Sequence, residues 1–360
     1  MTYKQTLFFV ARCLTIQQEE KNRILIENKL KSNTVDWDAV VKLSTAHYVF
    51  PALYCNLKRA NLLEYVPDDL VEYMIHITNL NRERNEQIIE QAKEVNQLLL
   101  DHNITPVFLK GTGNLLEGLY EDIAERMVGD IDFIVSMDEY EETIKVLKTH
   151  DYKVLKNDKT KSSHRHYSPL VNSARIGAVE IHNSIFKEPY EELLGFQKIK
   201  TTLIKQSDFY FLSNENKLVT TILAKIINDH LYLSKIIPLR TVYDAFLISK
   251  KGNYTIVLEN KKNFQKFNNL FGCIKMILND PESINVIENK SLKNYQKSYL
   301  RILANSRREK IINYVEKFLL RCQRFLLDKR YRYLVLKKLF ELDLYRKIFA
   351  FRMMRKLFKS

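Results

Sequence analysis

The chain has 360 residues, of which 46% are hydrophobic, and a formal charge of +14 from 57 Lys and Arg against 43 Asp and Glu. With only 8 Gly and 7 Pro it is not fibrous or low-complexity material. Its four cysteines (Cys13, Cys55, Cys273, Cys322) contain no Cys-x-x-Cys pair, so neither a cysteine zinc site nor a disulfide framework is indicated, and they read as reduced thiols of a cytosolic protein.

The apolar patch from Leu7 to Ala11 runs directly into Arg12 and is too short for a signal peptide. No run approaches the ~18 uninterrupted apolar residues of a membrane span. From residue 1 to 102 the pattern is helical. Asp36 is placed to cap a helix whose apolar face includes Val40, Val41 and Leu43, and later Val49, Leu53 and Leu57. Pro67-Asp68-Asp69 opens another helix, Asn81 to Leu100 is a long amphipathic one, and Asn103 marks the stop.

The character changes at Ile104. Thr105 to Leu109 is a buried-strand pattern, followed by Lys110-Gly111-Thr112-Gly113 and a short helix over 114–120. A second strand is expected over 131–136 and a helix over Met137 to Thr149, with Tyr140, Ile144 and Leu147 on one face. Tyr152 to Leu155, Tyr167 to Val171 and Ala178 to Ile185 are further strands, and helix returns from about Asn214. The expectation is an α+β chain in which a mixed α/β core at 103–212 lies between helical regions at 1–102 and 213–360.

Residues 301–360 hold 18 Lys and Arg against 5 Asp and Glu, so nearly all the positive excess is C-terminal. Over 343–359 basic and apolar residues interleave on a helical wheel, whereas a helix lying in a membrane surface would separate them. A solvated helical packing module, contact with anionic lipid or a polyanionic acceptor, and contact with nucleic acid all remain open for this tail.

The residues that point to chemistry are Arg126-Met127-Val128-Gly129-Asp130-Ile131-Asp132. On a strand, residues i and i+2 share a face, so Asp130 and Asp132 project together. Two like charges side by side are unfavourable unless a cation sits between them, and Mg²⁺ is commonly held by one or two carboxylates plus substrate phosphates. Val179-Glu180-Ile181-His182 repeats the arrangement with Glu180 and His182. If the strands are neighbours, Asp130, Asp132 and Glu180 converge as catalytic and metal-binding carboxylates suited to in-line phosphoryl transfer. The alternative for either strand alone is ordinary half-exposed alternation. Lys110, Gly111 and Thr112 form a strand-to-helix turn that suits a phosphate, but the Gly-Lys-Ser/Thr ending of a Walker A loop is missing. Lys110 and Arg126 are candidates for neutralising phosphate charge, or else surface ion pairs. His182 is either a neighbour of the metal or an acceptor-side group, or a structural histidine.

In combination these motifs resemble the nucleotidyltransferase superfamily related to DNA polymerase β, and in particular its bacterial uncharacterised branch. The matching elements are Leu109-Lys110-Gly111, the Gly129-Asp130-Ile131-Asp132 run with Arg126 ahead of it, and Glu180-Ile181-His182 with His166 and Pro169-Leu170 upstream. Trp37-Asp38 with Ala46-His47 resembles the family's helical lead-in, and Asp229-His230, Leu239-Arg240 and Asp244 its helical follow-on. Of these, His230, Arg240 and Asp244 read as polar groups that pack the helices. The superfamily's usual loop stands about ten residues before the first Asp, whereas Gly111-Thr112 lies further upstream here. The resemblance implies a minimal nucleotidyltransferase fold that moves a nucleoside monophosphate from an NTP with release of pyrophosphate, using Mg²⁺ or Mn²⁺. Asp130 and Asp132 would hold the nucleotide-bound metal, Glu180 the acceptor side, and Lys110, Gly111, Thr112, Arg126 and His182 the nucleotide surroundings. The implied setting is the cytoplasm or the inner membrane surface, with a small acceptor of surface-polysaccharide metabolism. The alternatives are nucleotidylation of tRNA or protein, as in toxin-like relatives, and a non-catalytic nucleotide-binding scaffold.

Overall fold

A computed structural model of the chain describes residues 1–155, 165–232, 234–252, 254, 256 and 260–304, with scattered positions between 311 and 337. Two compact units emerge, Met1–Ala304 and Asn305–Ser360. In the second, the described positions are helical and several apolar side chains are exposed, among them Ile311, Tyr314 and Phe318. The interleaved stretch 343–359 lies outside the described residues. Among the described residues no helix is long and apolar enough to cross a membrane.

The N-terminal helices are α1 (Tyr3–Cys13), α2 (Glu20–Lys31), α3 (Trp37–Ala46), α4 (Phe50–Arg59) and α5 (Asp68–Asp101). Thr2 and Gln5 form a capping box on α1, and Asp36 caps α3 by accepting the Ala39 N–H at 3.0 Å, as the sequence leads one to expect. The two helices expected around Pro67 and Asn81 are one: α5 runs unbroken for 34 residues because no Gly or Pro interrupts it. Its inward face is not purely apolar. Asn81, Asn85, Gln91 and Asn96 are buried alongside Met74, Ile88, Val95 and Leu99.

Beyond α5 lie β1 (Val107–Phe108), α6 (Lys110–Leu116), β2 (Asp130–Ile134), α7 (Met137–Thr149), β3 (Lys153–Val154), β4 (Leu170–Val171), β5 (Ala178–His182), α8 (Phe196–Lys200), β6 (Ile204–Gln206) and β7 (Phe209–Phe211). The strands form one mixed sheet in the order β3-β4-β5-β2-β1-β7-β6, with β2 and β5 parallel at its centre. The class is α+β. The β6–β7 hairpin is not anticipated from the sequence. Its turn is Ser207-Asp208, and Ser207 takes φ +54°, so a polar pair between two short alternating runs was the available signal. The helices α9 (Asn214–Ile227), α10 (Leu239–Lys250), α11 (Lys261–Ile277) and α12 (Lys290–Leu303) follow. Their apolar faces, including Leu223, Phe246, Phe271 and Tyr299, share the buried core with the sheet and the N-terminal helices.

Candidate active site

The parallel register of β2 and β5 sets Asp132 opposite Glu180 and Ile134 opposite His182. Alternation then buries Ile131, Phe133, Val179 and Ile181 on one face and brings the polar groups to the other. The ligand atoms of Asp132, Glu180 and His182 all lie within 4.8 Å of one another. His182 Nε2 stands 2.8 Å from Asp132 Oδ1 and 3.7 Å from Glu180 Oε2. Lys110 Nζ reaches the same carboxylates, at 2.5 Å from Asp132 Oδ1 and 3.8 Å from Glu180 Oε2. Burial alone would favour a neutral Asp132, but the Lys110 ammonium and the His182 hydrogen bond outweigh it and hold this carboxyl well below the usual range.

Asp130 occupies the open end of β2 and is not within that close set of three. Its carboxyl is raised, first by partial desolvation and then by repulsion from Asp132 and Glu180. Asp130 and Asp132 line the sheet wall of a cleft of about 360 Å³, with Asp229 and Asp244 on its helical side. As a donor set, two carboxylates and an imidazole suit a divalent cation; the oxygens fit Mg²⁺, and the imidazole also admits Mn²⁺.

The Lys110–Gly113 segment is the first turn of α6 rather than a free loop ahead of a helix at 114, a correction that follows from the i→i−4 bond of Gly113 N–H to the Leu109 carbonyl. Lys110 sits at φ +52°, a left-handed conformation that costs a non-glycine residue about 1 kcal/mol. At Gly111 an added Cβ would stand 2.8 Å from Val128 Cγ2 and 3.3 Å from the Arg126 guanidinium carbon, so α6 packs directly on the lead-in to β2. The Thr112 hydroxyl is buried and donates to the Asp130 carbonyl at 2.6 Å, which ties α6 to the carboxylate strand; Thr112 does not line the cleft.

Arg126 is buried and bonds inward. Its Nε donates to Asp244 Oδ1 and Oδ2 at 3.1 and 3.2 Å, and NH1 donates to the Met127 carbonyl at 2.7 Å. Tyr120 donates its hydroxyl to the same carboxylate at 2.7 Å. Asp244 thus does pack the helical side, through a bond to the carboxylate-strand motif 118 residues away. The His166 ring centroid lies 5.1 Å from that of His182, and burial depresses its basicity. His230, by contrast, does not line the cleft.

Two sets of residues escaped the sequence reading. The first is the amide row of α5. Asn81 donates to the Ala124 carbonyl at 2.7 Å, Asn85 to those of Ile123 and Arg126 at 2.6 and 2.7 Å, and Gln91 exchanges two bonds with Gly177. These side chains fix the backbone just ahead of β2 and β5, and the signal was amides recurring at helical spacing on an apolar face. The second is Arg165, which lines the cleft; Arg240, which the sequence reads as a polar group packing the helices, lines it as well.

A family model described as an uncharacterised nucleotidyltransferase matches residues 33–260. No curated protein and no solved structure matches the chain.

Proposed function

Because the chain belongs to the uncharacterised nucleotidyltransferase family, we propose that it is a metal-dependent enzyme that moves a nucleoside monophosphate from an NTP to a hydroxyl or phosphate acceptor, with release of pyrophosphate. The observation that carries this reading is the β2–β5 register, which assembles Asp132, Glu180 and His182 within 4.8 Å at a cleft. Asp132, Glu180 and His182 would hold the divalent cation, Mg²⁺ or Mn²⁺, with Asp130 beside them at the mouth. The bound cation supplies charge neutralisation on the transferring phosphate. The acceptor oxygen bonds to the α-phosphorus as the bond to pyrophosphate breaks, and Glu180 takes the acceptor proton. Lys110, half-exposed and already beside Asp132, turns its ammonium to the phosphates. Arg126 acts one step back, holding the β2 lead-in against α10. An acceptor from surface-polysaccharide metabolism fits the family resemblance.

The test is to mix purified protein with each NTP and Mg²⁺ or Mn²⁺, following melting temperature and pyrophosphate release. One NTP should stabilise the protein only with metal, and Asp130→Asn with Asp132→Asn should abolish the effect. Absence of both stabilisation and turnover with all four nucleotides would overturn the reading.

A further inference from the structure

Among the described residues, six cationic side chains line the cleft: Lys110, Arg126, Arg165, Lys217, Lys225 and Arg240. Four meet a carboxylate: Lys110 with Asp132, Arg126 with Asp244, Lys217 with Glu117, and Lys225 with Asp229. Among the described residues, Arg165 and Arg240 have no such partner. Arg165 reaches only the His182 Nδ1, at 3.4 Å. Arg240 is the more deliberately built of the two.

Its guanidinium lies over the Tyr48 ring, 5.0 Å from the centroid. Tyr48 itself adopts φ +57°, a left-handed conformation unusual for an aromatic residue. The preceding residue, His47, is buried and accepts the Leu239 N–H at Nδ1, 3.0 Å away, so it fixes the first turn of α10. Tyr3 holds the other ring nitrogen at 3.2 Å. Two dipeptides almost two hundred residues apart, His47-Tyr48 and Leu239-Arg240, thus form one support under one guanidinium. Asp244, the carboxylate nearest in sequence, is already engaged by Arg126 and Tyr120. Desolvation lowers the Arg240 guanidinium from its ordinary basicity and the neighbouring Arg126 adds to this. Asp244 offsets only part of this cost, and among the described residues no acceptor meets the Arg240 N–H groups, so a charge held this way in a cleft is matched by an anionic ligand. Planarity and stacking make it a fork for phosphate oxygens rather than a point charge.

We propose that Arg240, seated on Tyr48, binds the polyphosphate tail of the nucleotide, the part that leaves as pyrophosphate. This rests on the proposed function for the identity of the ligand. The side of the cleft favours the tail over the acceptor. Arg240 neighbours Arg126, which packs against Gly111 of α6, whereas Arg165 stands by His182 at the edge of the carboxylate cluster.

The experiment is titration calorimetry of the full chain with two probes, inorganic triphosphate alone and each NTP with Mg²⁺, on the wild type, Arg240→Gln and Tyr48→Leu. Far-ultraviolet circular dichroism and melting temperature establish that each variant folds. The expectation is that Arg240→Gln weakens both probes at least tenfold and Tyr48→Leu weakens them severalfold. Nucleotide binding that is equally tight in the wild type and Arg240→Gln overturns the proposal and leaves the proposed function standing. Binding of inorganic triphosphate that depends on Arg240, without binding of any NTP, keeps the anion site and removes the nucleotide as its ligand. No binding of either probe to the wild type overturns both.

Discussion

Two Asp-centred ion pairs face the same cleft, and they differ in what surrounds them. On the sheet wall, Lys110 meets Asp132 with its ammonium side chain 37% exposed. On the helical wall, Arg126 meets Asp244 with both side chains below 10% exposed and with Tyr120 completing the carboxylate's bonds. In the first pair the cation can leave its partner for water or for a ligand. In the second, separation would strand a charge in the interior. The same pairing chemistry therefore leaves a cation accessible to a ligand on one wall and makes a structural tie on the other.

The largest expected effect breaks the first pair. Asp132→Asn keeps the side-chain shape and the nearby His182, and Lys110 can turn to solvent, so melting should shift by only a few degrees. Turnover should fall by about a thousandfold, equivalent to roughly 4 kcal/mol of transition-state stabilisation. A thermal loss comparable to that of the next variant would erase the distinction between the walls. Next comes Asp244→Ala, which leaves Arg126 buried without a counter-charge and should cost about 3–5 kcal/mol in denaturant unfolding. Pairing it with Arg126→Met should recover much of that loss while Asp130 and Asp132 remain in place. Smaller again is Asn85→Ala. It leaves the Ile123 carbonyl without its side-chain donor and the Arg126 carbonyl with only the longer 3.3 Å bond from Asn81, at about 1–3 kcal/mol, and lowers activity by loosening the β2 lead-in.

The sheet wall was legible in the sequence, whereas on the helical wall Asp244 was legible as a packing group but its partner was not, for a physical reason. Asp130, Asp132, Glu180 and His182 lie on strands, where a period of two fixes the shared face, so only the pairing of the two strands had to be supplied. Arg126–Asp244 and Tyr48–Arg240 join elements 118 and 192 residues apart through helix packing angles, which no local spacing encodes. Likewise Lys110 and Gly111 were recognisable as a turn, but only the packing against Val128 reveals what the glycine accommodates. The amides of α5 are an intermediate case. Their spacing was visible, but their acceptors are loop carbonyls with no sequence signature.

The smallest effect tests the helical wall through pH. Burial depresses His47 to about 4, whereas an unfolded histidine titrates near 6.5. Between those values the unfolded chain binds more protons than the folded one, so stability is complete above pH 6.5 and declines as the pH falls toward 4. At pH 5.5 the loss should be about 1.4 kcal/mol. Protonation converts Nδ1 from acceptor to donor, so the bond from the Leu239 N–H is lost and the first turn of α10 with it. Denaturant unfolding at pH 7.5 and 5.5 should show this decrement in the wild type and not in His47→Gln, whose amide oxygen accepts without titrating. Other acids contribute equally to both proteins, so the difference isolates His47. Equal pH dependence in the two would mean that the helical wall is not held by a neutral imidazole, and the support beneath Arg240 would then rest on the Tyr48 ring alone.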